Sequence, residues 1–300
     1  MIIALKKRQK FLATRTAAFL IAFFVSLIVM GVSVGGVLVL SKNPEPKREN
    51  EIISSPYIAR RDEEMVVLAI GCAERGGDAT AFMLFKINPI ERKISVCSIP
   101  PESEATVNIK TDTLTGHYNY GGYQTVMDAV ENIYDIKINS YIRVNMEGFC
   151  FLVDFFGGIE YDVPYPIETE VDMKLRKGKQ MLDGKRVYTI YSGQNSSLER
   201  LRLQTDVTAE LIEQNFTRSF SGSIDKIFSL LCDKSDTSIS AFDLQYRKEA
   251  INHIATSEKK KVSKIYLYGK YTDRKFTPDD ETITDVQSEF QLGGLDDELP

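Results

Sequence analysis

The 300-residue chain has no tryptophan, two histidines and four cysteines. Each scarcity excludes a chemistry. His117 and His253 lie far apart in sequence, with no HExxH pattern and no Cys/His cluster, so a zinc site or a histidine-based triad lacks its parts. Cys72, Cys97, Cys150 and Cys232 make no CxxC pair and no regular spacing; they read as small buried hydrophobes, with an extracytoplasmic disulfide of undefined pairing as the alternative. G-x-S-x-G is absent, so Ser192-Gly193 is no nucleophile elbow. A basic excess is lacking too: 37 Lys and Arg face 42 Asp and Glu. That balance excludes nucleic acid as a partner.

What is present begins with a long apolar run. Residues 16–41 carry no charge and include FLIAFFVSLIVMGVSV, enough to cross a bilayer as one transmembrane helix. No A-x-A-like site closes the run, so it reads as a retained anchor rather than a cleaved signal. Lys6, Lys7, Arg8, Lys10 and Arg15 precede it without any acid. Residues 1–15 are therefore expected in the cytoplasm, and everything after the span outside the cell membrane. Residues 42–63, with three prolines, read as a linker. At the other end, residues 277–300 hold eight acids and no basic side chain and read as an acidic tail.

Between linker and tail, residues 64–276 read as a single domain. Met65 to Gly71 is a continuous apolar run, the mark of a strand buried on both faces. Strands are also expected at Ala81 to Ile87 and Lys93 to Ile99, joined by the turn residues Asn88-Pro89-Ile90-Glu91. Val126, Ala129, Val130 and Ile133 fall on one helix face. Ser140 to Asn145 reads as a strand. Phe149, Leu152, Val153 and Phe156 make another helix, which Gly157-Gly158 ends. Ile159, Tyr161 and Val163 alternate as a half-buried strand. Later patterns predict helices from Leu198, over Ile224 to Leu231 and over Ala241 to Ile254, then a strand at Lys264 to Tyr268. Interleaving of this kind predicts a three-layer α/β/α domain around a central mixed sheet. Tyr118 and Tyr120 beside Gly121-Gly122, together with Phe149, are candidate pocket residues. The paired glycines mark a turn, and stacking on sugar and ordinary turn packing both stay open for these residues.

Six segments in one order carry a resemblance: VVLAIG, INPIERKISVCSIP, YNYGG, VNMEGF, FFGGIEYDVP and GKQMLDGKRVY. From about Met65 to Tyr271 the chain resembles the LytR-CpsA-Psr family. The resemblance implies a central sheet flanked by helices, with a deep apolar pocket for a polyprenyl tail. It also implies a phosphotransfer, in which a polyprenyl-pyrophosphate-linked glycopolymer donates its sugar phosphate to a hydroxyl on peptidoglycan. Such a reaction needs arginines to hold the pyrophosphate and carboxylates to hold Mg²⁺ beside it.

Set against that pattern, Arg75 and Arg202 remain as candidate phosphate-binding residues, and Asp78 and Glu102 as candidate Mg²⁺ ligands. Ala73 stands where the family has an acid, and Pro101 where it has an arginine. Ser192 and Gln194 replace two arginines one residue apart. In the family's Arg-x-x-Arg helix pair, the first position is Glu199. Arg200 does not replace it, because it lies about 200° around the helix from Arg202. Ser196-Ser197-Leu198-Glu199 instead fits a capping box with Ser196 as N-cap and Glu199 as N3.

Charge-assisted hydrogen bonds are worth ~1.5–3 kcal/mol each. Three missing arginines then cost at least ~4.5 kcal/mol, over a thousandfold in binding or rate. The expectation is a retained fold whose phosphotransferase activity is lost or nearly lost. Three functions are compatible with it. One is a module that binds polyprenyl-linked glycan or another lipid. The second is a residual Mg²⁺-dependent phosphotransferase using Arg75, Asp78, Glu102 and Arg202. The third is a scaffold that partners peptidoglycan or wall-assembly proteins.

Overall fold

The computed structural model describes residues 57–74, 76–168, 174–191, 197–217, 223–259 and 261–293. The apolar run at 16–41, the basic end and most of the linker lie outside the described residues, as do Arg75, Ser192, Gln194 and Ser196. Among the described residues no helix is long and apolar enough to cross a membrane.

Three apolar runs form a meander of β1 (Met65–Cys72), β2 (Ala79–Asn88) and β3 (Lys93–Ile99). The hairpin of β4 (Glu104–Val107) and β5 (Lys110–Thr113) leads into α1 (Leu114–Tyr134). β6 (Ser140–Asn145) returns parallel to β1 and is followed by α2 (Met146–Phe155) and β7 (Ile159–Val163). A short pair, β8 (Ile167–Glu168) with β9 (Lys174–Leu175), precedes β10 (Gly178–Leu182), which pairs with β7. Next come α3 (Gly184–Tyr191), α4 (Leu198–Asn215), α5 (Ile224–Lys234), the edge strand β11 (Ser235–Thr237) and α6 (Ala241–Ala255). β12 (Val262–Ile265), the hairpin of β13 (Gly269–Thr272) and β14 (Lys275–Pro278), and α7 (Asp280–Phe290) complete the described elements.

The central sheet is mixed, in the order β11-β6-β1-β2-β3-β12. Strand alternation sorts its side chains onto two faces. On one face Val66, Leu68, Ile70, Phe82, Leu84, Cys97 and Ile99 pack with Val126, Ala129, Val130 and Tyr134 of α1. On the other, Ile94, Val96 and Val262 pack with Ala209 of α4 and Ile254 of α6. A separate core joins α2, β7, β10, α3 and α4 through residues such as Val153, Ile159, Leu182, Val187 and Leu203.

Several expectations need correcting. The Tyr118-to-Gly122 segment is not a free turn but part of α1, kinked where Gly122 takes φ 68° and ψ −154°. The strand expected at Lys264 to Tyr268 stops at Ile265, and a hairpin follows. Residues 280–290, inside the stretch read as an acidic tail, form a helix. Asp279 caps it by accepting from Thr282 N. Thr282, Val286 and Phe290 recur every four residues, and all three are buried. Asp280, Glu281 and Asp285 around them are exposed, and that charge masked the stripe. The N-cap of α4 is Ser197, whose hydroxyl accepts from Arg200 N at 3.2 Å. The helix therefore starts one residue later than the capping-box reading required, and Glu199 occupies N2.

Gly157 and Gly158 end α2 with positive φ, as their sequence suggests. Gly158 (φ 78°) is also crowded: a Cβ there would lie 2.3 Å from the Leu182 carbonyl oxygen. Gly158→Ala is therefore expected to lower stability by about 1–3 kcal/mol from backbone strain alone. Urea unfolding checks this, with an unshifted midpoint as the contrary result.

Candidate functional site at the strand ends

β1 and β3 both run antiparallel to β2, β6 runs parallel to β1, and β12 parallel to β3. Four strands thus end at one rim, the place where open α/β sheets bind ligands. Ala73 follows β1 and Asp78 precedes β2, both exposed. Pro101 and Glu102 follow β3. Proline suits the turn there, in which Ser103 N donates to Pro100 O at 3.0 Å.

Arg202 reaches the same end of the sheet through α4. One turn further along that helix, Thr205 Oγ1 accepts from Ser98 N (3.2 Å) and donates to Ser98 Oγ (3.0 Å), fixing α4 against the end of β3. The Arg202 guanidinium lies over the Tyr268 ring, 4.7 Å from its centroid. Its Nε–H is buried and makes no hydrogen bond among the described residues. Glu102 sits near Tyr271, whose pKa is pushed up to about 12 by burial and then by that carboxylate's charge. Glu199 is exposed near the start of α4. Arg200 bonds the carbonyls that end α3, Ile190 O at 3.0 Å and Thr189 O at 3.3 Å. It caps the end of that helix.

Toward the other edge, Tyr118 does not face open solvent. Its hydroxyl accepts from Arg143 Nη1 at 3.0 Å and from the Cys72 thiol at 3.8 Å. Burial raises the pKa of both Tyr118 and Cys72, partly offset by the Arg143 charge. Tyr120 is 71% exposed, with Lys110 Nζ 4.3 Å from its ring centroid. Phe149 packs against Tyr191 (5.1 Å between centroids) and, with Gly71, Ala81, Val144 and Tyr188, lines a small cavity of about 40 Å³. The candidates therefore share a rim but divide between its ends.

Sequence reasoning missed two features. Arg143 is a strand-end cation concealed within the apolar alternation of β6. The second is an apolar cavity of about 300 Å³ further down the same sheet face, lined by Met65, Val67, Phe85 and Ile142 together with Ile212 of α4 and Leu244 of α6. Asp243 and Arg247 also border it and pair with each other at 3.4 Å. Register connects the two cavities: Gly71, Ala69 and Val67 stand opposite Ala81, Met83 and Phe85, and beside Val144, Ile142 and Ser140. All point to one face. The six residue steps from Gly71 to Met65 span about 20 Å.

Among the described residues no three His, Cys, Asp or Glu gather to hold a metal. Asp78 precedes β2 and Glu102 follows β3, and the two strands are antiparallel neighbours. The histidines serve the fold: His117 is buried against Ala105 O (2.9 Å), and His253 Nε2 accepts from Arg92 Nε (2.8 Å). All four cysteines are unpaired; three are buried and Cys232 is exposed.

The model of the LytR_cpsA_psr family matches residues 36–290. The polyisoprenyl-teichoic acid–peptidoglycan teichoic acid transferase TagU of Bacillus licheniformis is 25% identical over 242 residues, spanning 75% of this chain and 76% of TagU. Among solved structures, a putative transcription regulator from Eubacterium siraeum superposes with a TM-score of 0.71 at 19% identity, over 79% of this chain and 95% of that one. B. subtilis TagV gives 0.62 at 21% identity, over 76% of this chain and 95% of its own.

Proposed function

Because the chain belongs to the LytR_cpsA_psr family, we propose that it is a single-pass membrane protein of the cell envelope that holds a polyprenyl-linked glycan or lipid with little or no catalysis. In this reading the run at 16–41 is the anchor, the N-terminus is cytoplasmic and the three-layer domain lies outside. The relative TagU is named for a polyisoprenyl-linked teichoic acid and for peptidoglycan, which makes a lipid-carried wall glycan the natural ligand class.

The observation that carries the reading is the apolar cavity of about 300 Å³ set in line with the strand-end cavity on one sheet face. A polyprenyl chain buries only hydrocarbon, and burial of each Å² is worth ~25 cal/mol. Its charged head would then emerge at the rim, near the unbonded Nε–H of Arg202. Asp78 and Glu102 would hold a Mg²⁺ arriving with the phosphates, and the ion would supply charge neutralisation. The same Arg202 donor supports a weaker second reading, residual phosphotransfer.

Full-length protein in detergent, mixed with polyprenyl phosphate, is expected to retain one lipid per chain in native mass spectrometry. Ala69→Leu adds volume between the two cavities and should reduce occupancy by roughly tenfold, within the 1–3 kcal/mol cost of overpacking. A folded wild type that retains no lipid removes the basis for this function.

A further inference from the structure

Three large apolar side chains are left exposed around α6 and the entry to β1: Phe242 (76%), Ile58 (77%) and Ile90 (47%). Single exposed hydrophobics are ordinary, but these three are tied to one helix. Tyr57 packs edge-on against His253 of α6, with 4.9 Å between centroids, which brings the neighbouring Ile58 alongside. Arg92 Nε donates to His253 Nε2 at 2.8 Å, and Ile90 belongs to the same β2–β3 turn as Arg92. Phe242 stacks with Tyr246 at 6.3 Å, and the Arg60 guanidinium lies 5.2 Å from the Tyr246 centroid. Phe242, Tyr246 and His253 fall within about 40° around a helix, so one face of α6 gathers all of these contacts. Register places the patch in the fold. Met65 stands opposite Ile87, so the β2–β3 turn and the entry to β1 share one end of the sheet. Cys72, at the rim, is roughly 23 Å away along β1.

The chemistry of the patch and the course of the chain together identify what covers it. Arg60 and Arg92 are exposed beside the apolar tips, and the Arg247 guanidinium lies 5.5 Å from the Tyr246 centroid. Guanidinium groups bond phosphate oxygens in pairs, and tyrosine rings favour the headgroup level of a bilayer. Exposed Phe and Ile tips gain by leaving water. Apolar tips interleaved with arginines therefore match a phospholipid surface. Asp62, Glu91 and Glu249 share the face and are exposed, so the match comes from local contacts and not from a net positive charge. Residues 42–56 connect the apolar run to Tyr57, and even fully extended a chain of that length reaches only about 50 Å. A bilayer crossed by residues 16–41 is thus kept within reach of this end, where a tethered contact needs little intrinsic affinity. A separate protein partner has no such tether.

We propose that this end of the domain docks on the bilayer surface through Ile58, Ile90 and Phe242, which holds the rim a strand's length above the headgroups. The apolar cavity lined by Met65, Ile87 and Leu244 lies at the docked end. The proposal rests on the anchor in the functional reading, and the test separates the two. The chain has no tryptophan, so Phe242→Trp places a single emitter in the patch and Tyr120→Trp places one at the rim. Full-length protein is reconstituted into vesicles of phosphatidylcholine and phosphatidylglycerol, with and without bromine near the headgroup end of one acyl chain. Emission of Phe242→Trp is expected to shift to the blue and to lose most of its intensity in brominated vesicles. Tyr120→Trp should emit as in water, unquenched. Adding Ile58→Asp and Ile90→Asp to Phe242→Trp, both at exposed positions, should restore most of the emission. Protein that does not float with the vesicles overturns the anchor and the docking together. Floating protein whose Phe242→Trp emission is the same in both vesicles overturns the docking alone. Equal quenching of Tyr120→Trp, or unrelieved quenching in the folded triple variant, does the same.

Discussion

Lys86→Met is expected to destabilise the domain by about 3–5 kcal/mol, the usual cost of stranding one member of a buried ion pair. Lys86 Nζ lies 3.1 Å from Glu64 Oε2, and both side chains are 6% exposed. The ammonium also donates to Gln291 O at 2.7 Å, while Glu64 Oε2 accepts from Gly293 N at 3.3 Å. One pair thus ties the entry to β1, the middle of the sheet and the chain beyond α7. Removing the cation leaves a carboxylate in a dry site with one long backbone donor. For a domain of this size the loss corresponds to a melting shift of roughly 10 °C. The double variant Lys86→Met/Glu64→Leu should recover most of it, since an apolar replacement of both partners is often neutral. Thermal unfolding of the three proteins decides the matter: a single variant no worse than the double one would show that the pair is not what fixes the C-terminal helix.

That helix also shows where the sequence could be read and where it could not. β1 was legible as an unbroken apolar run, and β2 and β3 as largely apolar stretches joined by the turn residues at 88–91, and the structure extends them by no more than two residues at either end. α7 was not, because Thr282, Val286 and Phe290 are three core residues among Asp280, Glu281, Asp285 and Glu289, and net charge outweighed period. Part of that charge is structural: Glu289 pairs with Lys93 at 2.8 Å. The kinked α1 was read as a turn because two adjacent glycines signal one, yet only Gly122 leaves helical geometry. Among the candidate residues, Glu102 and Arg202 were singled out by motif alone, and both lie toward the strand-end rim. Arg143 and the apolar cavity have no local signature. The first is one polar residue in an alternating strand, and the second is made by strands and helices distant in sequence whose faces meet only in the fold.

A variant carrying Ser192→Arg, Gln194→Arg and Glu199→Arg is expected to release the polyprenyl carrier from a lipid-pyrophosphate-linked sugar at least about a thousandfold faster than the wild type. The magnitude follows from three charge-assisted contacts at a lower bound of ~1.5 kcal/mol each. Glu199 contributes beyond its missing contact, since it is exposed at N2 of α4 and three residues before Arg202, and on a helix that spacing shares a face. Replacing it removes a repulsive carboxylate from the approach to Arg202. The change forfeits a favourable helix-dipole interaction of only about 0.3–1 kcal/mol, and the Ser197 cap is left intact. The readout is Mg²⁺-dependent release of polyprenyl phosphate by full-length protein in detergent, with Arg202→Ala in the triple background as the control that should abolish the gain. A wild type that already turns over, and loses that activity on Arg202→Ala or Glu102→Gln, would refute the loss of catalysis. A folded triple variant that still holds lipid but gains no activity would refute the part assigned to residues 192, 194 and 199 and turn attention to Ala73 and Pro101, where the family resemblance implies an acid and a further guanidinium.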